Sequence, residues 1–153
     1  MQALELKIPP PAVALLIASI MWGISLVTPL LDLSTFLRVT TSVTIALAGL
    51  GVGLAGIIAF RRARTTVNPM KPENTSSLVC SGIYKATRNP MYVGVLFVLI
   101  AWAVFLSSVW ALLGPVAFVL YITRFQIEPE ERVLLSMFPA EYAAYKARVR
   151  RWL

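Results

Sequence analysis

From Ala12 to Leu31 the chain runs for twenty residues without a charged side chain, and such a run leaves few ways to fold. As a helix rising 1.5 Å per residue it reaches about 30 Å, the thickness of a bilayer's hydrocarbon core. Three more apolar runs follow, at about Val39 to Phe60, Met91 to Leu106 and Trp110 to Phe125. Hydrocarbon offers no hydrogen-bond partner, so segments of this kind satisfy their backbone internally, as helices. The expected fold is all-α: a polytopic membrane protein of about four transmembrane helices, spanning 12–31, 39–60, 91–106 and 110–125, with further helices after the last. The composition agrees, at 58% hydrophobic and 14% charged residues with a mean hydropathy of +0.77. Ahead of the first run stand Pro9, Pro10 and Pro11, and Lys7 is the only basic side chain there. A run this long behind so little charge reads as an uncleaved helix, not a signal peptide.

Charge sets the expected topology. Arg61, Arg62 and Arg64 stop the second run, and Arg124 ends the fourth. The third and fourth runs are joined by Ser107, Ser108 and Val109, which is enough only for a tight helical hairpin. By the positive-inside rule the basic ends, and with them both termini, belong on the cytoplasmic side. Trp102 and Trp110, near the opposite end, read as interfacial anchors. The net charge of +7 serves topology and anionic lipid, and no nucleic-acid partner is expected, because aromatic and basic residues are not interleaved as in a base-stacking groove. In the second run Gly49 and Gly53 are spaced as GxxxG, with Gly51 and Gly56 beside them, a pattern that lets a neighbouring helix approach closely.

Several chemistries are excluded by what is missing. There is no histidine and one cysteine, Cys80. Metal sites with His or Cys ligand sets, a Ser-His dyad and an intrachain disulfide are therefore ruled out, and no metal is expected. Cys80 itself reads as a buried or idle thiol. Acid or base work falls to seven carboxylates, to a tyrosine or to a lysine.

The polar chemistry gathers in two places. One is the segment Gly82 to Tyr92, which joins a polar loop (from Thr65, with Pro69, Lys71 and Pro72) to the third apolar run. Proline suits a first helical turn and drives the residue before it out of the helical region, so a helix starts at Met91 or one residue earlier. Tyr84, Arg88, Asn89 and Tyr92 then stand where water gives way to hydrocarbon. The second place is the tail. Glu128, Pro129, Glu130 and Glu131 read as a helix start, with acids in the first turn, and Pro139 starts another helix, in which Tyr142, Tyr145 and Val149 share one face. Arg148, Arg150, Arg151 and Trp152 close the sequence in a way that suits anionic lipid. A hairpin of the third and fourth runs returns both clusters to one level, where carboxylates, guanidinium groups and tyrosine faces can share a pocket.

These residues resemble the isoprenylcysteine carboxyl methyltransferase family of integral membrane enzymes and, more distantly, the phospholipid methyltransferases. The resemblance rests on Ser81 to Gly94, then Glu130-Glu131, then Phe138 to Tyr142 with Tyr145, Arg148 and Val149. It covers roughly Asn68 to Leu153. Three departures stand out: Asn89 replaces the family's His, Pro139 its Gly and Arg150 its Pro. The resemblance implies one methyltransferase domain over 1–153, with a cytoplasmic cofactor region at 65–92 and 128–153. S-adenosylmethionine would be bound there and leave as S-adenosylhomocysteine. A lipophilic acceptor would enter from the bilayer, with a carboxylate such as that of a prenylated cysteine favoured, and a phospholipid amine or small thiol as alternatives. Position by position, Tyr84, Asn89, Tyr92, Glu131, Tyr142, Tyr145 and Arg148 would line the cofactor pocket, while Arg88 orients the acceptor's anionic group and is held by Glu128. The alternative from another class is a non-catalytic scaffold or lipid-binding protein of the same fold, and cofactor binding separates the two.

Overall fold

The structure, a computed structural model, describes residues 5–63 and 78–153. The greater part of the expected polar loop, 64–77 with Pro69, Lys71 and Pro72, lies outside the described residues.

All the regular structure among the described residues is helical, without a strand. In order they form α1 (Pro10–Val27), α2 (Thr35–Arg62), a 3-10 turn (Gly82–Lys85), α3 (Pro90–Leu106), a second 3-10 turn (Val109–Leu112), α4 (Leu113–Ile122), a π turn (Thr123–Ile127), α5 (Glu128–Met137) and α6 (Pro139–Arg148). α1, α2 and the continuous helical stretch Val109–Met137 are each long and apolar enough to cross a membrane, and α3 is a shorter apolar helix. The protein is an integral membrane protein with several transmembrane helices.

Proline and serine set the helix ends more tightly than the apolar runs do. α1 starts at Pro10, with the Pro9 carbonyl accepting from Ala12 and Val13, and it stops at Val27 because Thr28, held extended before Pro29, leaves the helical region. The first span is thus four residues shorter at its end than the apolar run. α2 starts at Thr35, four residues ahead of the expected Val39, because the Ser34 hydroxyl caps it by accepting from the Leu37 amide at 3.3 Å. α3 starts at Pro90, as expected, and ends at Leu106, after which Ser107 takes a left-handed φ of 52° and turns the chain into the hairpin.

The expected helix start at Glu128 is a different feature. The helix of α4 continues into α5 through the π turn, and Glu128 and Ile127 already have helical backbone angles. Pro129 brings no amide hydrogen for the Phe125 carbonyl one turn back, and the Leu6 amide donates to that oxygen instead, at 3.1 Å. Glu130 and Glu131 cap nothing.

The spans pack through glycines. α2 and α3 touch backbone to backbone: a Cβ added at Gly94 would stand 2.7 Å from the Gly49 oxygen and 2.9 Å from the Gly53 nitrogen, and one at Gly56 would press on Pro90 and Met91. The GxxxG pair therefore serves packing within one chain. Gly114 of α4 likewise admits Met21 of α1. Met21, Leu99, Ala103, Ala111, Phe118 and Ile122 form the core between α1, α3 and α4. Trp102 lies inside this arrangement: its Nε1 donates to the Ala18 carbonyl at 3.1 Å, so it ties α3 to α1, whereas Trp110 is exposed as expected of an interfacial anchor. A second core sits at the charged end, where Val79, Tyr84, Tyr142 and Tyr145 pack with Phe60, Leu134 and Phe138.

Candidate functional site

The hairpin of α3 and α4 brings the two polar segments together. Arg88, one residue before the cap of α3, reaches α5: its Nη2 is 2.8 Å from Glu131 Oε1, with only 8% and 9% of the two side chains exposed. Its Nη1 donates to the carbonyls of Val149 and Lys146 at 2.8 and 3.1 Å. Its Nε is buried and has no hydrogen-bond partner among the described residues. A buried donor left unsatisfied costs about 1–3 kcal/mol, so this atom calls for an explanation.

Arg88 is held by Glu131, and not by Glu128 as expected. Glu128 is half-exposed and lies 3.5 Å from Arg124 and 3.8 Å from Arg151. The reason is the π turn, which sets the rotational phase of α5 and turns Glu131 inward.

Glu131 carries more cation than one carboxylate usually does. Besides Arg88 it accepts from Arg151 Nε at 3.1 Å and Nη2 at 2.8 Å, and Lys146 Nζ is 3.7 Å away. Three basic groups thus converge on one acid, and that surplus favours a further anionic group. The Glu131 hydrogen bonds push the Arg151 guanidinium above its ordinary value, so it stays charged.

Arg151 is the residue that sequence reading missed. α6 ends at Arg148, and the residues after it leave the helix and lie along the segment before α3. The Arg88 amide donates to the Arg150 carbonyl at 3.0 Å. The Arg151 carbonyl accepts from Asn89 Nδ2 at 2.8 Å and Thr87 Oγ1 at 3.3 Å, and Trp152 Nε1 donates to Thr123 Oγ1 at 3.1 Å. The basic end of the sequence, read as lipid-facing, therefore turns inward at Arg151. The available signal was three glutamates in four residues with too few inward cations to match them.

The other expected residues divide. Tyr92 Oη donates to Glu130 Oε1 at 2.7 Å, and Gln126 Nε2 donates to the same oxygen at 2.8 Å. Tyr145 Oη donates to the Tyr84 carbonyl at 2.7 Å, which fixes α6 to the 3-10 turn. Tyr84, Tyr142 and Tyr145 are buried, and burial pushes all three phenols above their ordinary range, so they remain neutral donors. Arg148 is exposed, its Nε donating to the Ala144 carbonyl of its own helix, and it takes no part in the cluster around Glu131. Cys80 packs beside these tyrosines, and burial pushes its thiol up, in keeping with an idle thiol.

Glu5 pairs with Arg124 at 3.1 Å and also with Arg132. Below the cluster, between α3 and α4, a lipid-facing groove of about 250 Å³ is lined by Leu96, Pro115, Val116, Val119 and Leu120. Leu96 is one helical turn from Tyr92.

Comparison with known proteins puts a family to this geometry. Residues 37–141 match the family described as phospholipid methyltransferase. Over 63 residues the chain is 48% identical to an uncharacterized protein of Haemophilus influenzae, covering 41% of this chain and all of that one. Over 85 residues it is 34% identical to the protein-S-isoprenylcysteine O-methyltransferase of Saccharomyces cerevisiae, covering 52% of this chain and 33% of the yeast protein. The chain thus spans about a third of the yeast relative's length. No solved structure matches. With more than half of its length inside that match, the chain belongs to the phospholipid methyltransferase family.

Proposed function

We propose that this protein is an S-adenosylmethionine-dependent methyltransferase, a single domain over 1–153, acting on a lipophilic acceptor that enters from the bilayer. The observation that carries the reading is the buried Arg88, held at Glu131 with its Nε unpartnered. The donor set fits the cofactor. The cation surplus at Arg88, Arg151 and Lys146 suits the carboxylate of its methionine end, and the bond from Asn89 Nδ2 to the Arg151 carbonyl leaves Asn89 Oδ1 as an acceptor for an ammonium or hydroxyl. When bound, the cofactor supplies an electrophilic methyl group on a sulfonium.

In this reading the protein's own residues align and dry the site. Arg151 takes the cofactor's carboxylate and Arg88 the acceptor's anionic group. Glu131 positions both guanidinium groups, and Tyr84, Tyr142 and Tyr145 form the wall that excludes water. Alignment and exclusion of water can together supply several kcal/mol of barrier lowering. Glu128 keeps Arg151 in place from the rim. Arg148 is left out of this cofactor set because it is exposed and hydrogen-bonded to its own helix. The groove at Leu96 holds the acceptor's hydrocarbon. Arg61, Arg62 and the charged cluster face the cytoplasm by the positive-inside rule, as do both ends of the chain. Two acceptor heads suit the site. The yeast relative's name favours a prenylated cysteine carboxylate and the family's description a phospholipid amine.

Calorimetric titration with S-adenosylhomocysteine tests the reading. Saturable heat is expected, weakened in Glu131→Gln, while Arg88→Ala lowers turnover more than affinity. Absence of saturable binding in the wild-type protein would leave a non-catalytic membrane protein of this fold.

A further inference from the structure

We infer that Glu130, held by Tyr92 and Gln126, is the site's proton acceptor, and that the acceptor substrate therefore attacks through an atom that carries a proton. This rests on the methyltransferase reading above.

Two neighbouring carboxylates on α5 have opposite surroundings. Glu131 is committed to two guanidinium groups and an ammonium. Glu130 has no ion pair among the described residues and is held by neutral donors, Tyr92 Oη at 2.7 Å and Gln126 Nε2 at 2.8 Å. Both donate to Oε1, and no described residue donates to Oε2. Glu130 can therefore pass between carboxylate and carboxylic acid without breaking an ion pair, as Glu131 cannot. Paired acids in contrasting surroundings divide the labour of acid-base chemistry in this way. Tyr92 of α3, Tyr84 of the 3-10 turn, Tyr142 of α6 and Glu131 of its own helix act electrostatically on Glu130, while the guanidinium groups of Arg88 and Arg151 stand one residue along, bound to Glu131.

The site also lies where an acceptor's head would come. Tyr92 and Leu96 stand on one face of α3, so hydrocarbon in the groove at Leu96 points its polar end at Tyr92 and Glu130. The step is a simple one. The N–H bond of an ammonium breaks, an O–H bond forms at Glu130 Oε2, and the electron pair stays on nitrogen, which is then free to accept a methyl group. The proton leaves Glu130 for water. A carboxylate acceptor has no proton to lose and would give Glu130 nothing to do.

The test uses the full chain in nanodiscs containing phosphatidylethanolamine, with a methyl-labelled donor. Glu130→Gln keeps an oxygen that can accept from both Tyr92 and Gln126, so the local hydrogen bonds survive. Its transfer rate is expected to fall about 100-fold at neutral pH and to recover toward alkaline pH, as the lipid amine loses its own proton to water. S-adenosylhomocysteine affinity should hold. Infrared spectroscopy provides a readout that needs no acceptor: a carboxylic-acid carbonyl band that titrates in the wild type, is missing from Glu130→Gln and shifts in Tyr92→Phe. Equal rates and pH profiles for wild type and Glu130→Gln would overturn the inference. So would transfer confined to an S-farnesylcysteine carboxylate, or the absence of such a band at every pH at which the protein stays folded. A wild-type protein that binds no S-adenosylhomocysteine defeats the methyltransferase reading instead.

Discussion

Glu131 neutralises charge that would otherwise be stranded between α3, α5 and the end of the chain. Its side chain is 9% exposed and faces two guanidinium groups. Removing one partner of a buried pair leaves the other uncompensated, at a cost of about 3–5 kcal/mol. Glu131→Gln is accordingly expected to lower the thermal unfolding midpoint in detergent, by far more than Glu141→Gln on the exposed face of α6. Arg151 and Arg148 should also separate. Arg151→Ala is expected to weaken S-adenosylhomocysteine binding by tenfold or so, the worth of a charge-assisted hydrogen bond, whereas Arg148→Ala leaves the titration unchanged. Cys80 offers a check on the second core. Burial raises its thiol, with Arg148 pulling down and Glu141 pushing up as smaller influences. Less thiolate is present at any given pH, so alkylation should run slower than that of a free cysteine and gain speed only as pH rises above the usual thiol range. At this scale Arg88, Asn89 and Tyr92 could be singled out because one short motif carries them, and Glu131 because it stands in the Glu130-Glu131 pair, though not as the partner of Arg88. Arg151 could not be, since its role depends on a chain end folding back.

Among the elements, the contact of α2 with α3 is the most exacting. Gly94→Val places a side chain within 2.7–3.0 Å of the Gly49 and Gly53 backbone, which no rotamer relieves. The helices must part, at a cost of 1–3 kcal/mol or so, and the charged end of α3 moves with them. Gly51→Ala, where an added Cβ meets nothing, should be neutral, and melting curves of the two variants in one detergent check the contrast. Small residues at GxxxG spacing announced close packing, but not that the partner would be Gly94 of the same chain. The span limits at Thr28 and Ser34 could be read from Pro29 and a serine cap, local signals that override hydropathy.

At the scale of the molecule, charge asymmetry fixes the expected orientation. With Cys80 replaced by serine, a single cysteine introduced at Lys85 should react with a membrane-impermeant reagent only from the cytoplasmic side, and one introduced at Asp32 only from the other. Labelling of both from one side would refute the four-span topology.

Sequence alone determined the helical membrane class, the approximate spans and the meeting of two polar segments, because hydropathy and hairpin length are local properties. Tertiary structure alone decided which acid holds which base. The π turn at Thr123–Ile127 adds a residue to one turn, and each residue rotates a helix by about 100°. That phase turns Glu131 toward Arg88 and Arg151, and leaves Glu128 at the rim and Glu130 with Tyr92. No regular periodicity in the sequence carries it, since the bulge is stabilised from afar, by the amide of Leu6 at the carbonyl that Pro129 cannot serve.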